Sequence, residues 1–279
     1  LTLIMSGLPS AWTLVVLTTF VSAVPISDLE DALQVALTIS DKETGVKVSQ
    51  WTVNMNVNPE ELGNYLEGDI MIAKGLKGYD AKDESLRWSN GVIPYVIMGN
   101  FDDDQLNLIH EAIKEYEKYT CIQLKPRTDE KDYVKFVSYN TGCWSYIGKI
   151  GGEQSINLQT PGCVTKKGTV IHEIMHAAGF WHEHTRNDRD DYVTINWDNI
   201  EESSTGNFAK LSPNIVQDYD ISYDYGSVMH YSAYAFAKNP IIRTIIPKNP
   251  SAKIGQRDGF SESDYQKINK MYNCNVCIV

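Results

Sequence analysis

The chain has 279 residues, 42% of them hydrophobic and 22% charged, an ordinary globular balance with room for one large or two small domains around a real core. Its net charge of −11 argues against nucleic acid or an anionic membrane surface as the main partner, because both would repel it.

Residues 1–23 contain no Lys, Arg, Asp or Glu, and the apolar run Ala11–Val21 ends in the small-residue pattern Val21-Ser22-Ala23. This pattern predicts a signal peptide and a secreted, extracellular protein. It does not predict a membrane anchor, since Gly7 and Pro9 keep the uninterrupted run well below the roughly 20 residues that span a bilayer. No other segment is suited to span a membrane. Leu29–Leu37 has the spacing of one amphipathic helix, and Lys42–Asn64 is polar and turn-rich, better suited to cover a surface than to fold alone. In Leu66-Glu67-Gly68-Asp69 the glycine lets the backbone come close to another surface with Asp69 leading. Ala73–Glu84, rich in Lys, Gly and Asp, is expected to be exposed and open to proteolytic nicking.

From Leu86 the pattern becomes domain-like. Val92–Met98 reads as a strand, Phe101-Asp-Asp-Asp104 opens a helix, and Leu106, Ile109, Ile113 and Tyr116 recur at helical spacing. Cys121–Leu124, Tyr133–Tyr139 and Ser155–Leu158 are the next strands, with a turn at Asn140-Thr-Gly142.

A helix over about Lys167–Phe180 carries the central motif. Residues four apart share a helix face, so His172 and His176 can present imidazoles to one metal ion with Glu173 beside them. Gly179 tolerates positive φ and lets the chain leave the helix sharply, which can bring His182 back as a third ligand. Three neutral nitrogens leave the fourth position of a zinc ion open for water, the arrangement of a catalytic site. A zinc-finger reading is excluded because no Cys-x-x-Cys pair precedes these histidines at finger spacing.

Regular periodicity is then lost for about 75 residues, yet Trp197, Phe208, Tyr219, Tyr225 and Tyr234 are too frequent for a solvated linker, so ordered irregular structure is expected. A last helix is capped by Ser261, with Asp264 at the capping-box position and Tyr265, Ile268 and Tyr272 as its stripe. The five cysteines, Cys121, Cys143, Cys163, Cys274 and Cys277, are expected to form disulfides on secretion, with one left over and the pairing open.

The run His172-Glu-Ile-Met-His-Ala-Ala-Gly-Phe-Trp-His-Glu183, the continuation Arg186-Asn-Asp-Arg-Asp-Asp-Tyr192 and the segment Ser227-Val-Met-His-Tyr231 together resemble the astacin family of secreted zinc metalloproteases, over about residues 65–274. The resemblance implies an α+β, metzincin-type catalytic domain of two lobes. One has a twisted mixed sheet with two long helices, the other is irregular with a final helix, and a cleft lies between them. It implies zinc on His172, His176 and His182, Glu173 as general base and then general acid, Met229 as the floor under the metal, and Tyr231 as a fifth ligand. By the same resemblance Glu183 meets a new N-terminus, Asp69 takes the catalytic water's place as a latency switch, and Arg257 shapes a substrate pocket. The alternative for Arg257 is an ion pair with Asp258 or Glu262. Leu66 stands where the family has Phe. Arg186, Asp188, Arg189 and Asp190 are expected to be structural.

The family's spacing places the mature terminus near Gly78 or Tyr79, after Lys77, which divides the chain into a signal peptide (1–23), a propeptide (24–77) and a catalytic domain (78–279). A trypsin-like activating protease would suit Lys77. The implied bridges are Cys121–Cys274 and Cys143–Cys163, with Cys277 left over. The implied function is that of a monomeric zinc endopeptidase acting on proteins or peptides and held latent by its own propeptide. The alternative is an inactive homologue that binds peptides; it would predict a missing ligand or base, and none is missing.

Overall fold

The computed structural model describes residues 41–73 and 83–274. The expected signal peptide, the helix over Leu29–Leu37, the Lys77–Tyr79 maturation site and Cys277 lie outside the described residues. Among the described residues no helix is long and apolar enough to cross a membrane.

Strands β1 (Ile70–Met71), β2 (Val92–Ile97), β3 (Gln123–Pro126), β4 (Tyr133–Val137), β5 (Cys143–Tyr146) and β6 (Glu153–Leu158) form one sheet in the order β1-β5-β6-β4-β2-β3. β5 and β6 are antiparallel, with Cys143 opposite Leu158, and every other pair is parallel, so the sheet is mixed, as expected. The strand readings hold to within a few residues, but β5 and β1 are additions to them. β1 directly follows Asp69, in the run whose glycine was expected to bring the backbone close to another surface.

Helix α2 (Asp103–Tyr119) begins at Asp102, whose side chain accepts the Gln105 amide at 2.9 Å while the Gln105 side chain accepts the Asp102 amide at 3.1 Å. Its stripe of Ile109, Ala112, Ile113 and Tyr116 is buried against the sheet core and against α3 (Lys167–Ala178). In α3 every residue from Gly168 to Ala178 is buried, as befits a helix that is not amphipathic but central. Two of its last carbonyls, which have no partner within the helix, are met by side chains. Trp88 Nε1 donates to Ala177 O at 2.8 Å, and the Tyr272 hydroxyl donates to Ala178 O at 2.8 Å.

Residues 41–49, read from sequence as polar and turn-rich, are helical and form α1. Its packed side is Thr44, Gly45 and Val48. The carbonyl of Gly45 accepts Gln159 Nε2 at 2.8 Å, and a Cβ on Gly142 or Gly162 would meet the Thr44 or Val48 side chain. Such a stripe is too short and too polar to register as apolar periodicity.

After α3 the chain is mainly turns and short 3-10 segments, with β7 (Val193–Ile195) antiparallel to β8 (Ile245–Pro247). It is ordered around a second core of Val193, Ile195, Ile200, Phe208, Tyr223, Tyr231, Ala235 and Ile245. Helix α4 (Glu262–Met271) starts at Ser261 with the expected capping box to Asp264. Both expected bridges are present: Cys121–Cys274 joins the end of α2 to the end of α4, and Cys143–Cys163 joins β5 to the turn before α3.

Candidate active site

α3 brings His172 and His176 onto one face, and the left-handed Gly179 (φ 112°) turns the chain so that His182 completes the group. The Nε2 atoms of His176 and His182 lie 3.1 Å and 3.2 Å from that of His172. Asp69 enters from the N-terminal stretch: its Oδ2 is 3.0 Å from His172 Nε2 and 3.3 Å from His182 Nε2, and its Oδ1 is 3.4 Å from His176 Nε2. The four ligand atoms lie within 4.8 Å of one another, and all four residues are completely buried.

Each imidazole is oriented from behind through Nδ1. His172 meets Val228 O at 2.8 Å, His176 meets Phe180 O at 2.7 Å, and His182 meets Glu67 Oε2 at 2.7 Å. A proton on each Nδ1 leaves each Nε2 lone pair facing inward, the tautomer a metal requires. Inward lone pairs on His176 and His182 at 3.1 Å and 3.2 Å from that of His172 repel it unless a cation lies among them, and nitrogens about 2 Å from a tetrahedral zinc ion would be spaced this way. The residues present therefore fit zinc.

The electrostatics agree. Burial raises the Asp69 carboxyl and lowers the His182 imidazole, but in each case the neighbours together outweigh it: the three histidines hold Asp69 well below the usual carboxylate range, and Asp69 with Glu67 pushes His182 up to about 9. The cluster thus demands positive charge at its centre. Glu173 is fully buried, and neither of its oxygens has a hydrogen-bond partner among the described residues. Burial first, and then the charges of Asp69 and Glu60, push its pKa well up. An orphaned buried carboxyl beside a ligand cluster is placed to handle a proton.

The turn Ser227–Tyr231 closes the site. Met229 is buried at 1% exposure, and its carbonyl accepts the Glu183 amide at 3.0 Å. Tyr231 has its ring centroid 4.7 Å from that of His182 and stacks on His184 at 3.7 Å. Its hydroxyl donates to the Glu67 carbonyl. The turn is held by Asp264, which accepts the Ser227 hydroxyl at 2.6 Å and the Val228 amide at 2.8 Å. Sequence reasoning found Asp264 as a helix cap and missed this second task.

Three expectations need refinement. Glu183, expected to meet a new N-terminus, is held here by Lys267 and by Arg186 at 3.3 Å, and it accepts the Asp224 amide at 2.9 Å. These cations keep it below its ordinary range against the cost of burial. Arg257 pairs with neither Asp258 nor Glu262, but with Glu60 of the N-terminal stretch. Leu66 is 43% exposed and anchors little. The contacts beside Asp69 come instead from Glu67, a residue the sequence did not single out: it is 3% exposed with φ 48°, its side chain on His182 and its carbonyl on Tyr231. Gly68 makes this tight loop possible, because its φ is 89° and a Cβ there would meet the Phe236 ring at 2.8 Å. Arg186 and Arg189 are structural, Arg186 through Asp188 at 2.9 Å and Arg189 through the His184 carbonyl at 3.1 Å.

Comparison with known proteins gives a consistent picture. The sequence profile of the astacin peptidase family matches residues 80–273. Zinc metalloproteinase nas-13 of Caenorhabditis elegans is 45% identical over 201 residues, 72% of this chain and 44% of that protein. Low choriolytic enzyme of Oryzias latipes is 42% identical over 236 residues, covering 81% of this chain and 84% of that protein. Among solved structures, high choriolytic enzyme 1, a hatching enzyme zinc-protease of the same fish, aligns with a TM-score of 0.65 at 41% identity, covering 69% of this chain and 97% of that one. The chain spans less than half the length of nas-13, nas-15 and nas-14, of which it covers 44%, 38% and 37%.

Proposed function

This chain belongs to the astacin family, and we propose that it is a secreted zinc-dependent endopeptidase made as a latent zymogen, with residues 24–77 as propeptide and 78–279 as catalytic domain. The observation that carries the reading is the Asp69 carboxylate, held within hydrogen-bond distance of two of the three histidines that would bind zinc. There it takes the place of a catalytic water.

His172, His176 and His182 would hold the ion, which when bound acidifies water and polarises a carbonyl. The chain's own residues do the rest. Glu173, buried and tied by no hydrogen bond to the described residues, accepts the proton of the attacking water and returns it to the leaving amine. The Tyr231 hydroxyl, now given to the Glu67 carbonyl, can donate to the substrate oxygen where negative charge develops. Met229 gives an apolar floor from the turn held by Asp264. β1 lies on the edge of β5, where the Ser145 amide donates to the Asp69 carbonyl at 2.9 Å. A peptide substrate would add to the same edge once the propeptide leaves.

Removal of the propeptide after Lys77 by a trypsin-like protease would free this edge and the metal together, and the new N-terminus near Gly78 would join Glu183. The mature enzyme acts as a monomer on protein or peptide substrates. The test is to express residues 24–279, nick the product with trypsin, and follow cleavage of a denatured protein. The reading requires activity that appears on nicking, is abolished by a chelator and returns with zinc. A nicked protein with no chelator-sensitive cleavage would refute it.

A further inference from the structure

Among the described ion pairs, that of Glu60 with Arg257 has both side chains fully buried. Glu60 and Arg257 are each at most 1% exposed, and the Arg257 Nε–H donates to Glu60 Oε1. Arg257 Nη1 donates to the carbonyls of His230 at 3.1 Å and Gln256 at 2.7 Å, so the guanidinium is fixed by backbone as well as by its carboxylate. The next residue, Glu61, is 2% exposed and uses both oxygens. It accepts the Ser232 amide and hydroxyl from the catalytic side and, at 3.1 Å each, the amide and side-chain Nδ2 of Asn58 from its own turn. Asn58 Nδ2 also reaches the Gly255 carbonyl at 3.2 Å.

The receiving surface is closely packed. Gly255 (φ 80°) packs so close to Ser232 that a Cβ would meet the Ser232 Cα at 2.4 Å, and the Arg257 carbonyl accepts the Gly168 amide at 3.0 Å, at the start of the helix that bears His172 and His176. Ser232 directly follows Tyr231. Asp69 contacts none of these residues; its partners are the three histidines and the β5 edge.

We propose that Arg257 and Ser232 form a receptor for two adjacent carboxylates, that its occupant is the chain's own Glu60-Glu61, and that this seat is a second lock on latency separable from Asp69. The inference rests on reading residues 24–77 as a propeptide. Its physical basis is the cost of burying charge. Each member of a dry ion pair is tolerated only while its partner is present, so neutralising the carboxylates leaves Arg257 charged, buried and unpaired, and favours release of the segment. Asp69 can close the metal only while the segment that carries it is seated.

The test uses the full chain in three forms: parent, the double variant E60Q/E61Q, and S232A, which removes one donor from the catalytic side and serves if the double variant does not fold. Cleavage of a denatured protein is measured before and after trypsin, and hydrogen exchange is followed at the Ser232 amide. Charge-assisted bonds of this kind support about a ten-fold or larger rise in the activity of the uncut double variant and a similar acceleration of exchange at Ser232, with a smaller change in both for S232A. After trypsin the double variant should match the parent, because the altered residues leave with the propeptide. An uncut variant as latent as the parent, with unchanged exchange at Ser232, overturns the second lock. If every form is inactive after trypsin, the endopeptidase reading fails, while exchange at Ser232 still decides whether the carboxylates hold the segment.

Discussion

The amide of Val228 donates to the carboxylate of Asp264 at 2.8 Å, and the carbonyl of the same Val228 meets His172 Nδ1 at 2.8 Å. The N-terminus of the last helix is thereby connected to a metal ligand through a single residue. Asp264 does this while fully buried and while accepting the Ser261 amide at 2.9 Å as part of its own helix cap.

This arrangement predicts a pH dependence of stability. Burial raises Asp264 to about 6, despite opposing contributions from Lys267, the Ser227 hydroxyl and the Val228 and Ser261 amides. The folded protein then binds a proton more tightly than the unfolded chain, whose Asp titrates near 3.9. The sign follows: this group's contribution is full below about pH 4 and is lost as pH rises to about 6, by roughly 3 kcal/mol. Thermal unfolding of parent and Asp264→Asn between pH 3.5 and 6.5 should differ by this slope, and parallel curves would refute it.

Trp88 holds the end of the metal helix by its bond to Ala177 O at 2.8 Å and is 2% exposed. Trp88→Phe removes the donor and leaves space beneath α3. A loss of about 1–3 kcal/mol is expected from the unmet carbonyl alone, read as a lower denaturant midpoint with unchanged zinc stoichiometry. A midpoint equal to the parent's would show that the cap contributes nothing.

Glu173 has no hydrogen-bond partner among the described residues, so its replacement should leave the ligand cluster intact. Glu173→Gln in the trypsin-treated protein is expected to retain one zinc per chain and to lose about 10²–10⁴-fold in kcat/KM. Zinc content by atomic absorption, measured beside peptide hydrolysis, separates the two roles. Retained turnover would mean that another base operates.

The parts legible in the sequence are those whose partners lie close in the chain. His172, His176, Gly179 and His182 are readable because helix geometry and one glycine suffice to bring them together, and α2 and α4 announce themselves through local caps and stripes. What stays hidden depends on distant surfaces. β1 is only two residues long and exists because the β5 edge receives it. Arg257 and Glu60 are 197 residues apart, so no local pattern links them, and a search among nearby acids reaches only Asp258 or Glu262. Glu67 looks like an ordinary turn acid because its value comes from His182, 115 residues on. Asp264 shows only its local task, since Ser227 and Val228 are more than 30 residues away.

The central claim is that Asp69 closes the metal site in the uncut chain, and the activity of Asp69→Ala before any proteolysis tests it most directly. The variant should cleave a denatured protein without trypsin and lose that cleavage to a chelator, and it should become more active still when combined with E60Q/E61Q. An Asp69→Ala chain that binds zinc, becomes active after trypsin, and yet is as silent before trypsin as the parent would contradict the account.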